Sequence, residues 1–320
     1  MKAAVINNFG ATPRYEDFVD PVPGDGEILV DVKALVLENF EKGVAGGEHY
    51  SSKSMYPQFP AIVGHRGIGM TQDGKLIGFG IMRSPYGAFA EKAVVENFVP
   101  IPEGIDAAVA AAVPPSALTS YLPLKYTANL EKGQTVLVNG ATGVSGRIAI
   151  QVAKLMGAGR VVGTGRNERS LNLLKGLGAD AVIDLKQTDE ALLDAFEKEK
   201  GDDGYDFVID FIWGHPAEIL MQCFVPKNMG LPKKIIHYIP IGAKAGPGAY
   251  VTGEMLRTSG LVLSGMGRVT QEAISAGTNQ VWEWIKEGKL HMDIEKVPLA
   301  DIENAWKRND LEGKRLVIIP

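Results

Sequence analysis

The chain has 320 residues, of which 45% are hydrophobic and 22% charged, with a formal net charge of −5. This composition is typical of a soluble globular protein large enough for two domains, and the acidic balance argues against nucleic acid or an anionic membrane as a partner. A single cysteine, Cys223, excludes an internal disulfide framework and a cysteine-based zinc cluster. No signal sequence is recognisable in residues 1–10, and no apolar run approaches membrane-spanning length, so we expect a cytoplasmic protein.

The first third of the chain is predicted to form mainly β-strands. Residues 2–7 form a short apolar run, and residues 27–36 alternate apolar and polar side chains as a half-buried strand does. Many glycine and proline residues lie between such runs and indicate turns. This pattern favours a compact, barrel-like all-β unit. Residues 107–112 then predict the start of a helix that Pro114 and Pro115 stop, with Ser116 as the cap of a second helix.

From residue 134 the pattern changes to alternating strands and helices. Six apolar strands are predicted, at residues 135–138, 160–164, 181–185, 205–212, 234–241 and 261–266. Helical segments such as 188–200 separate them, which predicts an α/β Rossmann fold, a doubly wound parallel sheet covered by helices on both faces. A long helix at 271–287 follows, and then a tail with one helix and a final strand that could join either domain.

A glycine-rich turn follows the first of these strands. Gly140, Gly143 and Gly146 lead into a helix whose side chains form an apolar face of Val144, Ile148, Val152 and Leu155 and a polar face of Arg147, Gln151 and Lys154. A dinucleotide pyrophosphate must approach the backbone at such a helix N-terminus, where glycines leave room and the N–H groups favour its charge. The alternative is an ordinary tight turn, but the order strand, glycines, helix, strand favours a dinucleotide site.

The end of the second strand indicates which dinucleotide binds. NAD sites usually place an acidic residue there for the ribose 2′-hydroxyl, whereas this chain has Gly165, Arg166, Asn167 and Arg169. Because guanidinium groups match phosphate oxygens, these residues predict NADP(H). The alternative is that Asn167 caps the next helix and both arginines are simply solvated.

With both halves in place, the chain resembles the medium-chain dehydrogenase/reductase superfamily, and within it the zinc-free quinone oxidoreductase branch that includes zeta-crystallin. The resemblance is carried by the segments KAAV, GHRGIG, AAVPPSALTSY, VLVNGATGVSGRIAIQVAKLMG, VPLADIENAW and GKRLVIIP. It implies a GroES-like domain over residues 1–118, a Rossmann NADP(H)-binding domain over 119–268, and a return of residues 269–320 to the first domain.

The resemblance also implies where the ligands lie. Thr119 is expected near the nicotinamide ring, and a homodimer is expected through residues 261–266, which would also cover an exposed strand edge. The full set of expected cofactor-binding residues is Gly140, Ala141, Thr142, Gly143, Val144, Ser145, Gly146, Gly165, Arg166, Asn167, Arg169, Ile241, Gly242, Ser264, Gly265 and Met266.

The positions that hold catalytic zinc in zinc-dependent members carry Glu38, His65 followed by Arg66, and Pro115. Proline offers no ligand, and two ligands do not make a catalytic zinc site, so no metal is expected. Zinc-free members usually carry Asn-Pro and then Asp where this chain has Glu38, Asn39 and Glu41. The strip expected to face the nicotinamide is therefore altered.

The resulting hypothesis is an NADPH-dependent reductase that transfers hydride to a quinone or an α,β-unsaturated carbonyl. Without zinc, the oxyanion that develops on the substrate needs a protein donor. The candidate catalytic residues are Glu38, Tyr56 (or Tyr50), His65, Arg66 and Thr119. Two alternatives are an NADPH-binding redox sensor or structural protein with little turnover, and alcohol dehydrogenase-like carbonyl reduction.

Overall fold

The structure is a computed structural model that describes residues 1–80, 83–228, 232–266 and 269–320. The strands are β1 (Lys2–Ile6), β2 (Arg14–Asp17), β3 (Ile28–Val36), β4 (Ala61–Ile62), β5 (Arg66–Met70), β6 (Leu76–Gly80), β7 (Lys92–Val95), β8 (Phe98–Pro100), β9 (Thr135–Asn139), β10 (Arg160–Gly165), β11 (Ala181–Asp184), β12 (Phe207–Asp210), β13 (Ile236–Pro240), β14 (Leu261–Leu263), β15 (Ile294–Pro298) and β16 (Arg315–Ile319). The α-helices are α1 (Asn39–Gly46), α2 (Ser52–Met55), α3 (Ala107–Leu122), α4 (Val144–Leu155), α5 (Glu168–Gly176), α6 (Asp189–Lys200), α7 (Gly214–Gln222), α8 (Gly253–Thr258), α9 (Gln271–Lys286) and α10 (Ile302–Lys307).

The chain divides into two compact units. The first comprises Met1–Pro114 with Asp293–Pro320, and the second comprises Pro115–Met292. Helix α9 therefore lies in the second unit, whereas the resemblance implies that residues 269–320 return to the first domain. Residue 268, the expected boundary, is outside the described residues. Within the second unit, a Cβ atom at Gly277 of α9 would lie 3.0 Å from side-chain atoms of Leu118 and Tyr121, so the glycine permits close packing on α3.

Among its described residues, the first unit has two sheets built mostly from antiparallel strands. Strand β3 is central in the larger sheet, whose order is β15-β16-β3-β5-β6-β8, and β7 also pairs with β3. The smaller sheet has the order β2-β1-β4. The final strand β16 pairs with β3, with Val317 opposite Val36, and this pairing assigns the tail to the first unit.

The second unit contains one six-stranded parallel sheet in the order β11-β10-β9-β12-β13-β14. This is the doubly wound Rossmann arrangement expected from the alternating pattern, and with the mainly-β first unit it confirms the predicted fold class. All five residues of β9 are buried, which explains the apolar run at residues 136–138 in its centre. The strand order reverses at β9, so the carboxyl ends of β9, β10 and β12 lie at the edge where such sheets bind ligands.

Helix α3 corrects two expectations: Pro114 and Pro115 do not stop it, and Ser116 lies inside it instead of capping a second helix. The chain stays helical through Pro114 and Pro115 from Ala107 to Leu122, and it ends in a π-helical turn at Pro123–Thr127. Ala112, Val113 and Ala117 on this helix are buried, so packing outweighs the local preference of proline to end a helix. By length and composition Ala107–Thr127 also meets the requirement for a membrane span, but 72% of its apolar window is buried within the protein, as in the core helix of a soluble protein.

Two further predictions were wrong in detail. Arg147 and Gln151, assigned to the polar face of α4, are buried, with Gln151 accepting a hydrogen bond from the backbone N–H of His291 at 2.7 Å. Strand β14 ends at Leu263, so Ser264 and Met266 lie in the loop that follows it. Residues 146–153 of helix α4 are therefore buried on both faces.

Candidate dinucleotide site and the Glu38 charge cluster

The turn between β9 and α4 shows why its glycines are spaced as they are. Gly140 has a φ of +79°, in the left-handed region that favours glycine. A Cβ atom at Gly146 would lie 2.5 Å from the carbonyl oxygen of Gly140 and 2.6 Å from Cα of Ala141, so no larger residue fits. At Gly143 the nearest protein atom would be 3.7 Å away. The fold therefore requires Gly140 and Gly146, while the space in front of Gly143 is open.

Helix α4 begins in this open space. Its N-cap is Gly143, which has no side chain that could accept a hydrogen bond. The first-turn N–H groups from Val144 onward therefore lack intrahelical partners. The turn itself is held by Arg147, whose Nε donates to the carbonyl oxygen of Thr142 at 3.2 Å, and by the Ala141 N–H, which donates to the carbonyl oxygen of Thr164 at 2.8 Å. A fixed turn with free N–H groups and room in front of them fits a pyrophosphate.

The end of β10 lies beside this turn. Gly165 is buried against the side chain of Thr142 with no space for a Cβ atom. Asn167 caps α5, with its Oδ1 accepting from the Ser170 N–H at 2.9 Å, as one alternative predicted. Arg166 and Arg169 are exposed, and neither has an ion-pair or hydrogen-bond partner among the described residues. Two guanidinium groups without internal partners fit a phosphate group near this strand end.

The other expected cofactor-binding residues lie after β13 and β14. Ile241 and Gly242 donate their N–H groups to the carbonyl oxygen of Asp210 at 2.7 and 3.1 Å. Ser264 donates its N–H to the carbonyl oxygen of Tyr238, and the Met266 carbonyl oxygen accepts from Thr127 Oγ1 at 2.7 Å. These loops follow the carboxyl ends of strands in the sheet that carries the glycine turn. Among the described residues, Ser145 lies in the first turn of α4 and Gly265 in the loop after β14.

Thr119 lies in the second unit, on α3. Its hydroxyl donates to the carbonyl oxygen of Ser116 at 2.8 Å, a bond within the helix. The hydroxyl oxygen keeps its capacity to accept, and the residue is half-buried.

In the first unit, Glu38 lies between two arginines. Arg66 Nη2 makes a short contact with Glu38 Oε2, and Arg315 Nη1 lies 3.0 Å from Glu38 Oε1. Burial lowers the pKa of Arg315 and the Glu38 charge opposes that shift, so the pair is coupled by charge. The side chains of Arg66, Glu38 and Arg315 are 39%, 15% and 9% exposed, so Arg66 is the member that faces outward.

Glu41 and His65 form a second charged contact in this cluster. Glu41 is 2% exposed, and its Oε2 accepts from the Glu38 N–H at 3.2 Å in a capping box at the start of α1. His65 Nδ1 lies 2.7 Å from Glu41 Oε1, although the ring is not aligned for a linear hydrogen bond. The ring of Phe40 packs edge-on against His65 with 4.7 Å between centroids.

Tyr56 supports this cluster. Its hydroxyl oxygen accepts from the Gly64 N–H at 3.1 Å, and burial raises the pKa of Tyr56 to about 12. The hydroxyl thus fixes the backbone next to His65 and is a poor acid. Tyr50, the other tyrosine considered, is 95% exposed, with its ring tilted against His49.

The structure thus brings Glu38, His65 and Arg66 together, with Tyr56 behind them. It adds Arg315, which the sequence analysis missed. In the sequence, Arg315 is recognisable only as a basic residue at the start of the apolar tail strand, and this position does not indicate which residue it contacts. Among the described ranges, no group of three or more His, Cys, Asp or Glu side chains is arranged to hold a metal ion.

Comparison with known proteins agrees with this architecture. The family model described as zinc-binding dehydrogenase matches residues 145–224. A chloroplastic quinone-oxidoreductase of Triphysaria versicolor is 28% identical over 336 residues, covering 97% of this chain and 94% of that protein. A quinone oxidoreductase structure from Thermus thermophilus is 25% identical and covers 100% of both chains with a TM-score of 0.79. Over its whole length the chain is therefore similar to quinone oxidoreductases.

Two further proteins show how widely the similarity extends. A trans-enoyl reductase of Aspergillus terreus is 30% identical over 233 residues, a match that covers 70% of this chain but only 62% of that protein. The Escherichia coli quinone oxidoreductase, solved as a complex with NADPH, shares the fold with a TM-score of 0.82 at 20% identity and 100% coverage of both chains. The resemblance drawn from the motifs is confirmed, and the similarity to quinone oxidoreductases holds over the whole length.

Proposed function

We propose that this protein is an NADPH-dependent reductase that transfers hydride to a quinone or an α,β-unsaturated carbonyl without zinc. The observation that carries the proposal is the pair of exposed guanidinium groups of Arg166 and Arg169, which have no partner in the described part of the chain and follow the strand beside an open glycine turn. Relatives whose names specify quinone oxidoreductase and trans-enoyl reductase support the reaction class.

On the cofactor side, the chain supplies charge and shape. The first turn of α4, in front of Gly143, accepts the pyrophosphate, and Arg166 with Arg169 neutralises the 2′-phosphate. NADP(H), when bound, supplies the hydride. The loops at Ile241, Gly242 and residues 264–266 complete the expected surroundings of the cofactor.

On the substrate side, Arg66 donates hydrogen bonds to the oxygen on which negative charge develops. A guanidinium has five N–H donors, and the contact with Glu38 occupies Nη2, so donors are left on the outward-facing side chain. Glu38 has both oxygens next to arginines and acts by holding Arg66. His65 faces Glu41 through Nδ1, which leaves Nε2 as the ring nitrogen that delivers a proton.

The same cluster supports a reaction without zinc. Two of the positions that bind zinc in relatives hold Glu38 and His65, and Glu38 lies against the guanidinium groups of Arg66 and Arg315. These cations would repel a divalent metal and compete for its carboxylate ligand. Oxyanion stabilisation therefore falls to Arg66.

We also propose a homodimer through residues 261–266. Within the described part of the chain, β14 pairs only with β13, and Val262 on it is 40% exposed. An open apolar strand edge is covered when a second copy extends the sheet. Light scattering should give a dimer for the wild type and a monomer for Val262→Lys; a wild-type monomer would refute this part of the proposal.

The test is NADPH oxidation by purified protein with a naphthoquinone, an enone, an enal and a simple aldehyde, each with and without a metal chelator. We expect turnover of the quinone or the activated alkenes that the chelator does not change. Tight NADPH binding with no turnover of any substrate would support the sensor or structural alternative. Chelator-sensitive turnover of the aldehyde alone would support alcohol dehydrogenase-like chemistry instead.

A further inference from the structure

Two polar pairs are buried under the glycine turn. Asn139 and Thr164 lie at the carboxyl ends of β9 and β10, and Asp210 and Tyr238 lie in β12 and β13; all four residues are 0% exposed. Burying polar side chains is costly unless they make hydrogen bonds, so the positions of these bonds indicate what the pairs stabilise.

Thr164 holds the start of the turn. Its hydroxyl donates to Oδ1 of Asn139 at 2.7 Å and accepts from the N–H of Gly140 at 2.9 Å. The backbone N–H of Gly140 therefore bonds to a side chain of the neighbouring strand. This one hydroxyl joins the end of β10 to the first glycine of the turn.

Asp210 holds the segment on the other side of Gly140. Its Oδ1 accepts from the N–H groups of Ile212 and Trp213 at 2.8 and 2.9 Å, and its Oδ2 accepts from the Tyr238 hydroxyl at 2.5 Å. Trp213 has a φ of +52° and a ψ of −155°, a conformation that a bulky residue adopts only when its surroundings impose it. The Trp213 ring also packs edge-on against Tyr238, with centroids 5.9 Å apart.

The strained segment touches the turn directly. A Cβ atom at Gly140 would lie 2.6 Å from Cγ2 of Ile212, so the Ile212 side chain packs directly against Gly140. Asp210 sets the position of Ile212 through its backbone N–H. The turn is thus held by Thr164 on one side and by Asp210, through Ile212, on the other.

We propose that Thr164 and Asp210 are positioning residues of the dinucleotide site, which keep Gly140 and the first turn of α4 ready to accept the pyrophosphate. This inference rests on the proposed function. Without either anchor, part of the population would hold the turn in other conformations, and the apparent affinity falls by the fraction of molecules that is competent. Because the pyrophosphate is common to NADPH and NADH, both affinities should fall together.

The test compares matched pairs of variants by fluorescence titration with NADPH and with NADH. Thr164→Val removes the hydroxyl and Thr164→Ser keeps it. Tyr238→Phe removes the bond to Asp210, and Tyr205→Phe removes another buried hydroxyl of the same unit, which donates to the Phe196 carbonyl oxygen at 3.1 Å. We expect Thr164→Val and Tyr238→Phe to raise both dissociation constants about tenfold with little change in their ratio. Thr164→Ser and Tyr205→Phe should bind like the wild type, even if Tyr205→Phe lowers Tm.

These results either support the positioning role of Thr164 and Asp210 or overturn it. Thr164→Val with wild-type affinity, or Tyr205→Phe weakened as much as Tyr238→Phe, would overturn the inference while leaving the proposed function intact. A wild type that binds neither dinucleotide would overturn both. If Thr164→Val does not fold, the comparison of Tyr238→Phe with Tyr205→Phe gives the answer alone.

Discussion

Arg315 Nη1 lies 3.0 Å from Oε1 of Glu38, so the last strand of the chain is tied to the N-cap of its first helix. The second carboxylate oxygen of Glu38 contacts Arg66. Because Arg315 is nearly buried and Arg66 is not, one cation anchors the carboxylate and the carboxylate in turn orients the other. Glu38 therefore orients Arg66, whereas Arg315 anchors Glu38.

Replacing Arg315 with Met should destabilise the protein. The partly buried carboxylate of Glu38 would keep Arg66, its more exposed charged partner, and breaking a buried ion pair on one side costs about 2–4 kcal/mol when partial exposure is allowed for. Urea unfolding of the variant would measure this loss. Arg308→Met, which removes contacts to Glu295 and Asp310 near the surface, is the control and should change the free energy of unfolding less. Equal losses for the two variants would contradict an anchoring role.

Replacing Arg66 with Ala should reduce kcat/KM with little loss of stability. Removing one donor to a developing oxyanion lowers the rate by about 10²–10³-fold, and Arg66→Lys should recover part of it because one charged donor remains. Steady-state kinetics with the best substrate of the panel would show the change. Arg83→Ala removes an arginine that is 60% exposed in the same unit and should leave kcat/KM unchanged. Wild-type kinetics for Arg66→Ala would eliminate it as the donor.

The alternation of strands and helices in the Rossmann unit and the place of the glycine turn were predictable because both follow from local patterns. Short apolar runs alternate with helical segments, and Gly140, Gly143 and Gly146 lie close together in the sequence, between the first strand and its helix. Asn167 was also recognised as a possible helix cap, since capping depends on residues only three positions apart.

Features set by tertiary packing were not predictable. Helix α3 continues through Pro114 and Pro115 because its neighbours bury it, and Arg147 is buried on a helix whose pattern looks amphipathic. The contact between Glu38 and Arg315 joins opposite ends of the chain, and no spacing rule links them. The local geometry of the glycine turn was therefore predictable, and the partners of Glu38 were not.

His215 gives a pH-dependent contribution to stability. Its Nε2 lies 2.9 Å from Asp189 and its Nδ1 3.2 Å from Glu218, and these hydrogen bonds raise the pKa of His215 above its ordinary value of 6.5. A raised pKa means that the contribution is complete below pH 6.5 and is lost as pH rises through the folded-state pKa. His215→Gln should thus be less stable than the wild type at acidic pH, by at most about 0.5 kcal/mol for so exposed a group, and equal to it at pH of about 9. Denaturant unfolding at both pH values tests this, and a larger difference at alkaline pH would contradict it.

Replacing Arg166 with Ala should change the preference between the two cofactors. Losing a charge-assisted contact to the 2′-phosphate should weaken NADPH by about tenfold or more, while NADH, which lacks that phosphate, should bind as before. Isothermal titration with both cofactors would measure the ratio. Lys175→Ala, which removes an exposed cation from the last turn of α5, is the matched control and should leave the ratio unchanged. Equal losses of NADPH and NADH affinity would refute a role for Arg166 at the 2′-phosphate.

Gly143 and Gly146 should respond to alanine in opposite ways. At Gly146 the new Cβ atom would lie 2.5 Å from the Gly140 carbonyl oxygen, so Gly146→Ala should destabilise the fold, by about 1–3 kcal/mol as for other overpacked sites. At Gly143 the nearest atom would be 3.7 Å away and the residue is the N-cap in an extended conformation with φ −75°, so Gly143→Ala should fold normally. Its methyl group would nevertheless stand in front of the N–H groups of α4 and weaken NADPH binding by about tenfold or more.

The control for Gly143→Ala is Gly176→Ala, because Gly176 ends α5 and a Cβ atom there would meet nothing within 4 Å. Both substitutions reduce the freedom of the unfolded chain and should keep or slightly raise Tm, by an amount that corresponds to about 0.4–1 kcal/mol at compatible sites. Only Gly143→Ala should then lose NADPH in a titration. If Gly143→Ala binds NADPH as the wild type does, the pyrophosphate does not approach the start of α4, and the open space in front of Gly143 has another purpose.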